Sequence, residues 1–372
     1  MTSIVFIVSG DPQSAMAYRA RAFAAHLRER YDIQLAYREG NKLMALFRFL
    51  KFLRRLKPQV TYVFDMSYSG VLASWLHKLF SRNNLLIVET GDVIYELMRS
   101  TGNRSRLGLG LTRWLENFSL RVADRIVVRG SYHQRWLAER GVSAEVIQDG
   151  VDTAEFAPQN ADDLRHAHGL NGALAVGLVG SSIWSEKLGV CYGWELIELM
   201  RLLEDQPVKG VMIGGGTGVA HLKARCREYG IEEKMIFLGQ VAYEQLPAHL
   251  GMMDVCLSTQ SNDIVGQVRT TGKLPLYLAA GRFVLASKVG EAALVLEPKM
   301  LVPYDGVVDR EYPRKLAERV RGILADRKTL ESGVANISVA KEVFEYSKLA
   351  ERLGEVIERV VGQTEKREKG KR

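Results

Sequence analysis

Cysteine is scarce in this 372-residue chain: three residues, Cys191, Cys226 and Cys256, scattered and without a CxxC spacing. That excludes a disulfide framework or a cysteine zinc site and points to a reducing compartment. No apolar run reaches the ~18 residues that a membrane span needs. The opening "MTSIVFIVSG" lacks the basic n-region and cleavage site of a signal peptide and reads as a first buried strand. A cytoplasmic protein is expected, with any membrane contact peripheral. The seven histidines show no metal spacing beyond His166-Ala-His168 in a polar stretch. DxD and GxSxG motifs are missing, and no Ser/His/Asp constellation can be assigned. A catalytic metal is not expected, nor is a cofactor.

What is present is a globular composition, 47% hydrophobic and 25% charged, with 9 prolines against 34 glycines. At this length two domains are the natural division. The net charge of +8 is unevenly spread. Residues 1–160 hold 22 Lys and Arg against 15 Asp and Glu, whereas residues 161–372 hold 29 against 28. The first half therefore faces something anionic: nucleic acid, anionic lipid or a phosphorylated substrate.

Short apolar runs alternate with helical patterns. "IVFIVSG" (4–10), "DIQLAYR" (32–38), "VTYVFD" (60–65), "LLIVETGD" (85–92), "RIVVRG" (125–130) and "AEVIQDG" (144–150) read as strands. The pattern restarts at "ALAVGLVGS" (173–181) and continues through "KGVMIGGGTG" (209–218), "KMIFLGQV" (234–241), "DVCLST" (254–259) and "RFVLASKVG" (282–290). Buried strands separated by helices imply parallel sheets covered on both faces. The fold class expected is α/β, two tandem Rossmann-like doubly wound domains facing a cleft at the carboxyl ends of their strands. The seam falls in 148–164. We place an acceptor-side domain at 1–155, a donor domain at 156–340, a helix crossing back at 341–362 and a disordered basic tail at 363–372.

Two segments invite a phosphate. "GQVRTTGK" (266–273) has the wrong spacing for a Walker A loop. Its helix start is nonetheless expected to hold a phosphate, with Thr270 and Thr271 as caps, Gly272 for close approach, and Arg269 and Lys273 as cations. "GLVGSSIWSEKLG" (177–189) offers Gly180, Ser181, Ser182 and Lys187 to the same cleft. "GGGTG" (214–218) is not the GxGxxG dinucleotide fingerprint and reads first as a turn packing strand on helix. The segment 41–60, "NKLMALFRFLKFLRRLKPQV", forms a basic, aromatic-rich helix. Leu43, Leu46, Phe47, Leu50 and Leu53 are expected to face the core, with Phe49, Phe52 and Leu56 spilling toward a second side. Its basic residues over 42–57, without an acid, suit an anionic bilayer, or equally a solvated face. Nucleic acid is not expected, for no helix-turn-helix, RNP or zinc signature accompanies the charge.

The order of motifs resembles GT-B glycosyltransferases of family 4, the retaining glycosyltransferase group 1. "ADRIVVRGSYHQRWLAERGVSAEVIQDGVDTAEFAP" (123–158) is similar to that family's interdomain segment. "VGLVGS…EK.G", "IGGG", "IFLGQV" and "KLPLYLAAGRFVLASKVGEA" follow in the family's order. The resemblance implies retaining, metal-independent transfer from a nucleotide-diphosphate sugar. By position, Lys187 and Lys273 would contact the diphosphate together with the helix start at 270–273. The backbone at Gly239, Gln240 and Val241 would meet the base, with Gly216 nearby. Gly10 would form the loop beside the reacting sugar, and Asp92 would remain from the family's His-Asp pair. The sequence also departs from the family. Its paired glutamates fall on Val268 and Leu276, its arginine on Ser181 and its histidine on Gly91. Leucine cannot accept a hydrogen bond from ribose, a loss of about 1.5–3 kcal/mol. The leading expectation is a glycosyltransferase acting on a glycan or lipid-linked acceptor at the cytoplasmic membrane face. The rivals are a catalytically silent GT-B protein that binds a glycan, lipid or partner subunit, and an enzyme using a polyprenyl phosphosugar donor.

Overall fold

Strands that are apolar on both faces must be covered on both, and the structure, a computed structural model, covers them with helices. It describes every residue except Arg82, Asn103 and 370–372, and of 364–369 it describes the backbone alone. The N-terminal sheet contains β1 (Thr2–Val8), β2 (Tyr31–Tyr37), β3 (Val60–Val63), β4 (Leu85–Thr90), β5 (Arg125–Val128) and β6 (Glu145–Val146). All are parallel, in the order β2-β1-β3-β4-β5-β6. Its helices are α1 (Ala15–Leu27), α2 (Lys42–Leu56), α3 (Tyr68–Phe80), α4 (Ile94–Thr101), α5 (Arg106–Val122) and α6 (Ser131–Ala138).

The C-terminal sheet contains β7 (Leu174–Val179), β8 (Val208–Ile213), β9 (Met235–Gly239), β10 (Val255–Ser258), β11 (Phe283–Ser287) and β12 (Leu301–Val302). These are also parallel, in the order β12-β11-β10-β7-β8-β9. The helices after the first domain are α7 (Asp162–Ala167), α8 (Trp194–Leu202), α9 (Val219–Tyr229), α10 (Leu246–Gly251), α11 (Ile264–Val268) and α12 (Lys273–Ala279). They continue as α13 (Ala292–Val295), α14 (Tyr312–Ala325), α15 (Asn336–Val339) and α16 (Tyr346–Lys369). Each sheet changes direction once, between β1 and β3 and between β7 and β10. Such switch points open a crevice at the strands' carboxyl ends, so the two sheets together define the cleft.

Side-chain alternation sorts the layers. Ile4, Phe6 and Val8 of β1 pack with α1 and α16, while Val5 and Ile7 pack with α2 and α3. Helix α16 thus leaves the second domain and lies on α1, burying Leu349, Leu353 and Ile357 completely. A bridge between Val151 and the start of α16 fixes the crossing: Val151 N–H donates to Phe344 O (2.8 Å) and Tyr346 N–H to Val151 O (3.1 Å). The helix continues to Lys369, past residue 362 where the sequence ended it. The end of the expected disordered tail, 370–372, lies outside the described residues.

The face expected for α2 is corrected. Ala45, Phe49 and Leu53 are buried, at i, i+4 and i+8, whereas Leu43, Met44, Phe47 and Leu56 are exposed. The helix is apolar on two sides, and packing against α3, rather than its own periodicity, selects the inward one.

Candidate functional site

The N-terminal wall of the cleft is a buried ionic network at the carboxyl edge of the sheet. Arg19 interrupts the apolar stripe of α1, where it is 2% exposed. Its Nε lies 3.2 Å from both oxygens of Glu89, and its Nη1 and Nη2 donate to Gln148 O (2.6 Å) and Ile147 O (2.9 Å). Tyr62 completes Glu89 by donating its hydroxyl at 2.7 Å. Arg129, just past β5, donates to Asp65 (2.7 Å) and Asp149 (3.4 Å). Asp65 is held in the left-handed region (φ 53°), a conformation uncommon outside glycine. Burial raises the pKa of its carboxyl, against the pull of Arg129.

Arg129 also explains Gly91. A Cβ at 91 would stand 1.8 Å from the Arg129 Nε. The position that carries the family's histidine is therefore filled by a guanidinium. His133 lies near Asp92 as well. Burial above all takes its pKa down to about 4, with Asp92 opposing and Arg129 reinforcing the fall, so it is neutral near pH 7.

The C-terminal wall is the turn into α12. Helix α12 starts at Lys273, not at Thr270, and Gly272 occupies the cap position with no side chain bonding to it. This corrects the expected threonine cap. Thr270 instead donates its hydroxyl to Asp149 across the cleft (2.7 Å), because a carboxylate of the facing domain outcompetes the local backbone. Lys273 lays its ammonium 3.6 Å from the centre of the Tyr192 ring. Burial first, and the charge of Arg269 second, bring its pKa down to about 7, while Glu195 pulls the other way. Glu195 itself is pushed up to about 7 by burial.

Polar contacts tie the walls together. Arg269 Nε donates to Asp92 (2.7 Å), and this charge, after the opposing effect of burial, holds the Asp92 carboxyl below its ordinary pKa. Thr270 reaches Asp149. Glu291 accepts the Ser131 N–H (2.5 Å) at the start of α6, and Lys187 donates to Arg99 O at the end of α4 (3.3 Å). An apolar seam of Val93, Val265 and Val268 accompanies them. Val268, where a family glutamate would stand, is thereby buried in an interdomain contact.

Between the walls lies a cavity of about 370 Å³. Gly180, Thr270, Thr271, Gly272 and Lys273 line it from one side, and Ala15, Met16, Arg19, Arg129 and Asp149 from the other. Leu276 lines it too. The remaining predicted residues are not among its lining. Gly10 sits in the loop before α1, where a Cβ would collide with Ser14. Ser181 and Lys187 are exposed, and Ser182 is fully buried with its hydroxyl given to Tyr192 O. Gly216 packs backbone to backbone, since a Cβ there would meet Ser182 O at 2.1 Å. Gly239 and Gln240 are exposed at the end of β9, beside the loop after β8, and Val241 packs on the core.

Sequence reasoning did not single out Arg19, Glu89, Arg129, Glu195 or Glu291. A charged residue inside an apolar run was the signal for Arg19 and Glu89, and Arg129 stands directly after "RIVV".

A family model described as glycosyl transferases group 1 matches residues 194–338. No curated protein sequence matches the chain. Among solved structures, sucrose-phosphate synthase from Thermosynechococcus elongatus aligns over 98% of this chain and 100% of its own, with TM-score 0.78 and 16% identity. HepE of Anabaena, solved in complex with UDP and glucose, aligns over 96% and 99%, with TM-score 0.74 and 16% identity. A glycosyltransferase from Rickettsia africae aligns over 97% and 98%, with TM-score 0.70 and 13% identity. At such identities the likeness establishes the fold.

Proposed function

From a chain that carries a glycosyl transferases group 1 domain within a GT-B fold, we propose that this protein transfers a sugar from a nucleotide-diphosphate sugar to a glycan or lipid-linked acceptor. The observation that carries the reading is the cavity wall of Gly180, Thr270, Thr271, Gly272 and Lys273, which faces Arg19 and Arg129 across the cleft. It offers hydroxyls, an open glycine backbone and cations within one enclosure, the chemistry a diphosphate needs.

In this reading the diphosphate, on binding, takes over the cation and the hydroxyl that Asp92 and Asp149 hold. Arg269 and Lys273 then stabilise charge on the leaving diphosphate, so transfer proceeds without a metal, and with retention as the family resemblance implies. Asp92, its pKa held low, acts as a positioning group rather than a proton donor. Gly239, Gln240 and Val241 receive the base at the edge of the second sheet. The HepE structure with UDP and glucose supports a uridine nucleotide as the first to try. The acceptor meets the basic first domain at the cytoplasmic face of the membrane. Among the described residues no helix is long and apolar enough to cross one.

A second reading, a GT-B protein that binds without transferring, is favoured by Leu276 in the cavity wall and by Arg129 in the space beside Gly91. A thermal-shift panel of UDP, GDP, ADP, TDP and CMP, with Lys273→Ala as control, separates the two. A nucleoside diphosphate at a hundredfold its Kd should stabilise the native state by about 2.7 kcal/mol. Stabilisation by one nucleotide that the variant loses would support the donor site. No shift at millimolar nucleotide would overturn it in favour of the silent or polyprenyl-phosphosugar reading.

A further inference from the structure

Helices α2, α3 and α5 form one layer over the face of the first sheet that points away from α1 and α16. Their outer surface is apolar to an unusual degree. Of the fourteen exposed large hydrophobic residues among those described, nine lie on these three helices. They include Leu43 and Phe47 of α2, Phe80 of α3, and Leu107, Leu111 and Trp114 of α5, with Leu107 88% exposed. Aromatic contacts link the three helices: Trp114 stacks on Phe118, Phe118 meets the edge of Trp75 of α3, and Arg54 of α2 lies over Phe80.

The charge on this surface has one sign. Helices α2 and α3 contain no acid, and the single acid of α5, Glu116, turns inward, where it accepts the N–H groups of Ile94 and Tyr95. Glu39 and Asp124 from flanking loops pair with Arg48 and Lys78. Lys42, Lys51, Arg106 and Arg121 make no ion pair among the described residues. A face of this kind cannot complement a second copy of itself, because both copies would be positive. A continuous negative plane with an apolar interior complements it on both counts.

We propose that the α2–α3–α5 face docks on an anionic phospholipid bilayer. This inference stands on surface chemistry and holds whether or not the donor site is as proposed. It extends the basic α2 helix to a three-helix platform, and it exchanges the inserting residues: Leu43 and Phe47 enter the bilayer, while Phe49 belongs to the core. In a parallel α/β layer each helix begins at the carboxyl edge of the sheet. Leu43, Phe47, Leu107 and Leu111 therefore sit at the cleft end of the platform, and the docked protein presents its cleft close to the lipid headgroups.

The test is sedimentation of the full chain with phosphatidylcholine vesicles with and without about 30% phosphatidylglycerol. Binding to the anionic vesicles alone is expected. L43S/F47S and L111S/W114S should each weaken it by roughly tenfold or more. Lys51→Glu with Arg121→Glu, which alters only exposed charges, should do the same and guards against a folding defect, with thermal melts confirming native structure. Undiminished binding by folded L111S/W114S would overturn the platform. So would a wild-type chain that ignores anionic vesicles, or one that dimerises through this face by size-exclusion mass.

Discussion

Arg129 and Gly91 exclude any side chain from the same volume. A methyl group at 91 would lie 1.8 Å from the guanidinium that neutralises Asp65 and Asp149. Gly91→Ala should therefore cost more than about 2 kcal/mol, since displacing one member of a buried ion pair leaves its partners uncompensated. Urea unfolding near neutral pH measures it, and a cost near zero would mean that Arg129 can be rehoused freely. Lys273 supplies a second test, through pH. Its folded-state pKa of about 7 lies below its ordinary 10.5. Between those values the unfolded chain binds the proton and the folded one does not, so this group makes stability rise with pH. Diphosphate binding needs the charged form and runs the opposite way. Affinity for a nucleoside diphosphate should fall above about pH 7, by at most tenfold per pH unit. Lys273→Arg, which stays charged, should flatten the profile. Titration calorimetry from about pH 6 to 9 checks both, and a flat wild-type profile would remove Lys273 from the diphosphate contact.

Elements announce themselves in sequence when local composition decides them. Strands β1, β4, β7 and β11 are buried on both faces, so each is a nearly unbroken apolar run and was legible as such. Where two local solutions compete, the sequence is silent. Helix α2 has apolar residues on two sides, and only its packing against α3 decides that Phe49 goes in and Phe47 stays out. The start of α12 shifts from Thr270 to Lys273 because Asp149, far away in the chain, claims the Thr270 hydroxyl. The candidate site divides in the same way. The anion-binding character of 270–273 was readable from residue types and Asp92 from the family resemblance, but the pairing of Thr270 with Asp149 was not, because the two belong to different domains. Helix α16 tests an element whose role is tertiary throughout. Leu353 is fully buried against the first domain although its chain neighbours belong to the second. Leu353→Ala should cost about 2–5 kcal/mol. Proteolysis would then release α16 early if the crossing is what fails first, whereas unchanged stability would mean that the helix merely rests on α1.

Two of the contacts that join the domains are ones a ligand would have to rearrange. Asp92 holds Arg269 and Asp149 holds Thr270, so an entering diphosphate must replace carboxylates as the partner of both. The partly exposed Arg269–Asp92 pair is worth about 0–1 kcal/mol, too little to lock the cleft alone. Glu291 differs, because it lies outside the 370 Å³ cavity and closes the seam by accepting the Ser131 N–H at the start of α6. Burial raises the pKa of this carboxyl, with the Ser131 hydrogen bonds opposing. Its removal should loosen closure while substituting no residue that lines the 370 Å³ cavity. A compact chain of this length has a radius of gyration of about 21 Å. For Glu291→Ala, small-angle scattering should show an increase on the order of 1 Å, as a loss of about 1.4 kcal/mol raises the open-to-closed ratio tenfold. A nucleoside diphosphate that bridges Gly180, Thr271 and Lys273 to Arg19 and Arg129 should then restore the compact value. If the variant stays compact without ligand, the valine seam rather than Glu291 holds the cleft shut. If it opens and nucleotide fails to close it, the diphosphate does not span both walls.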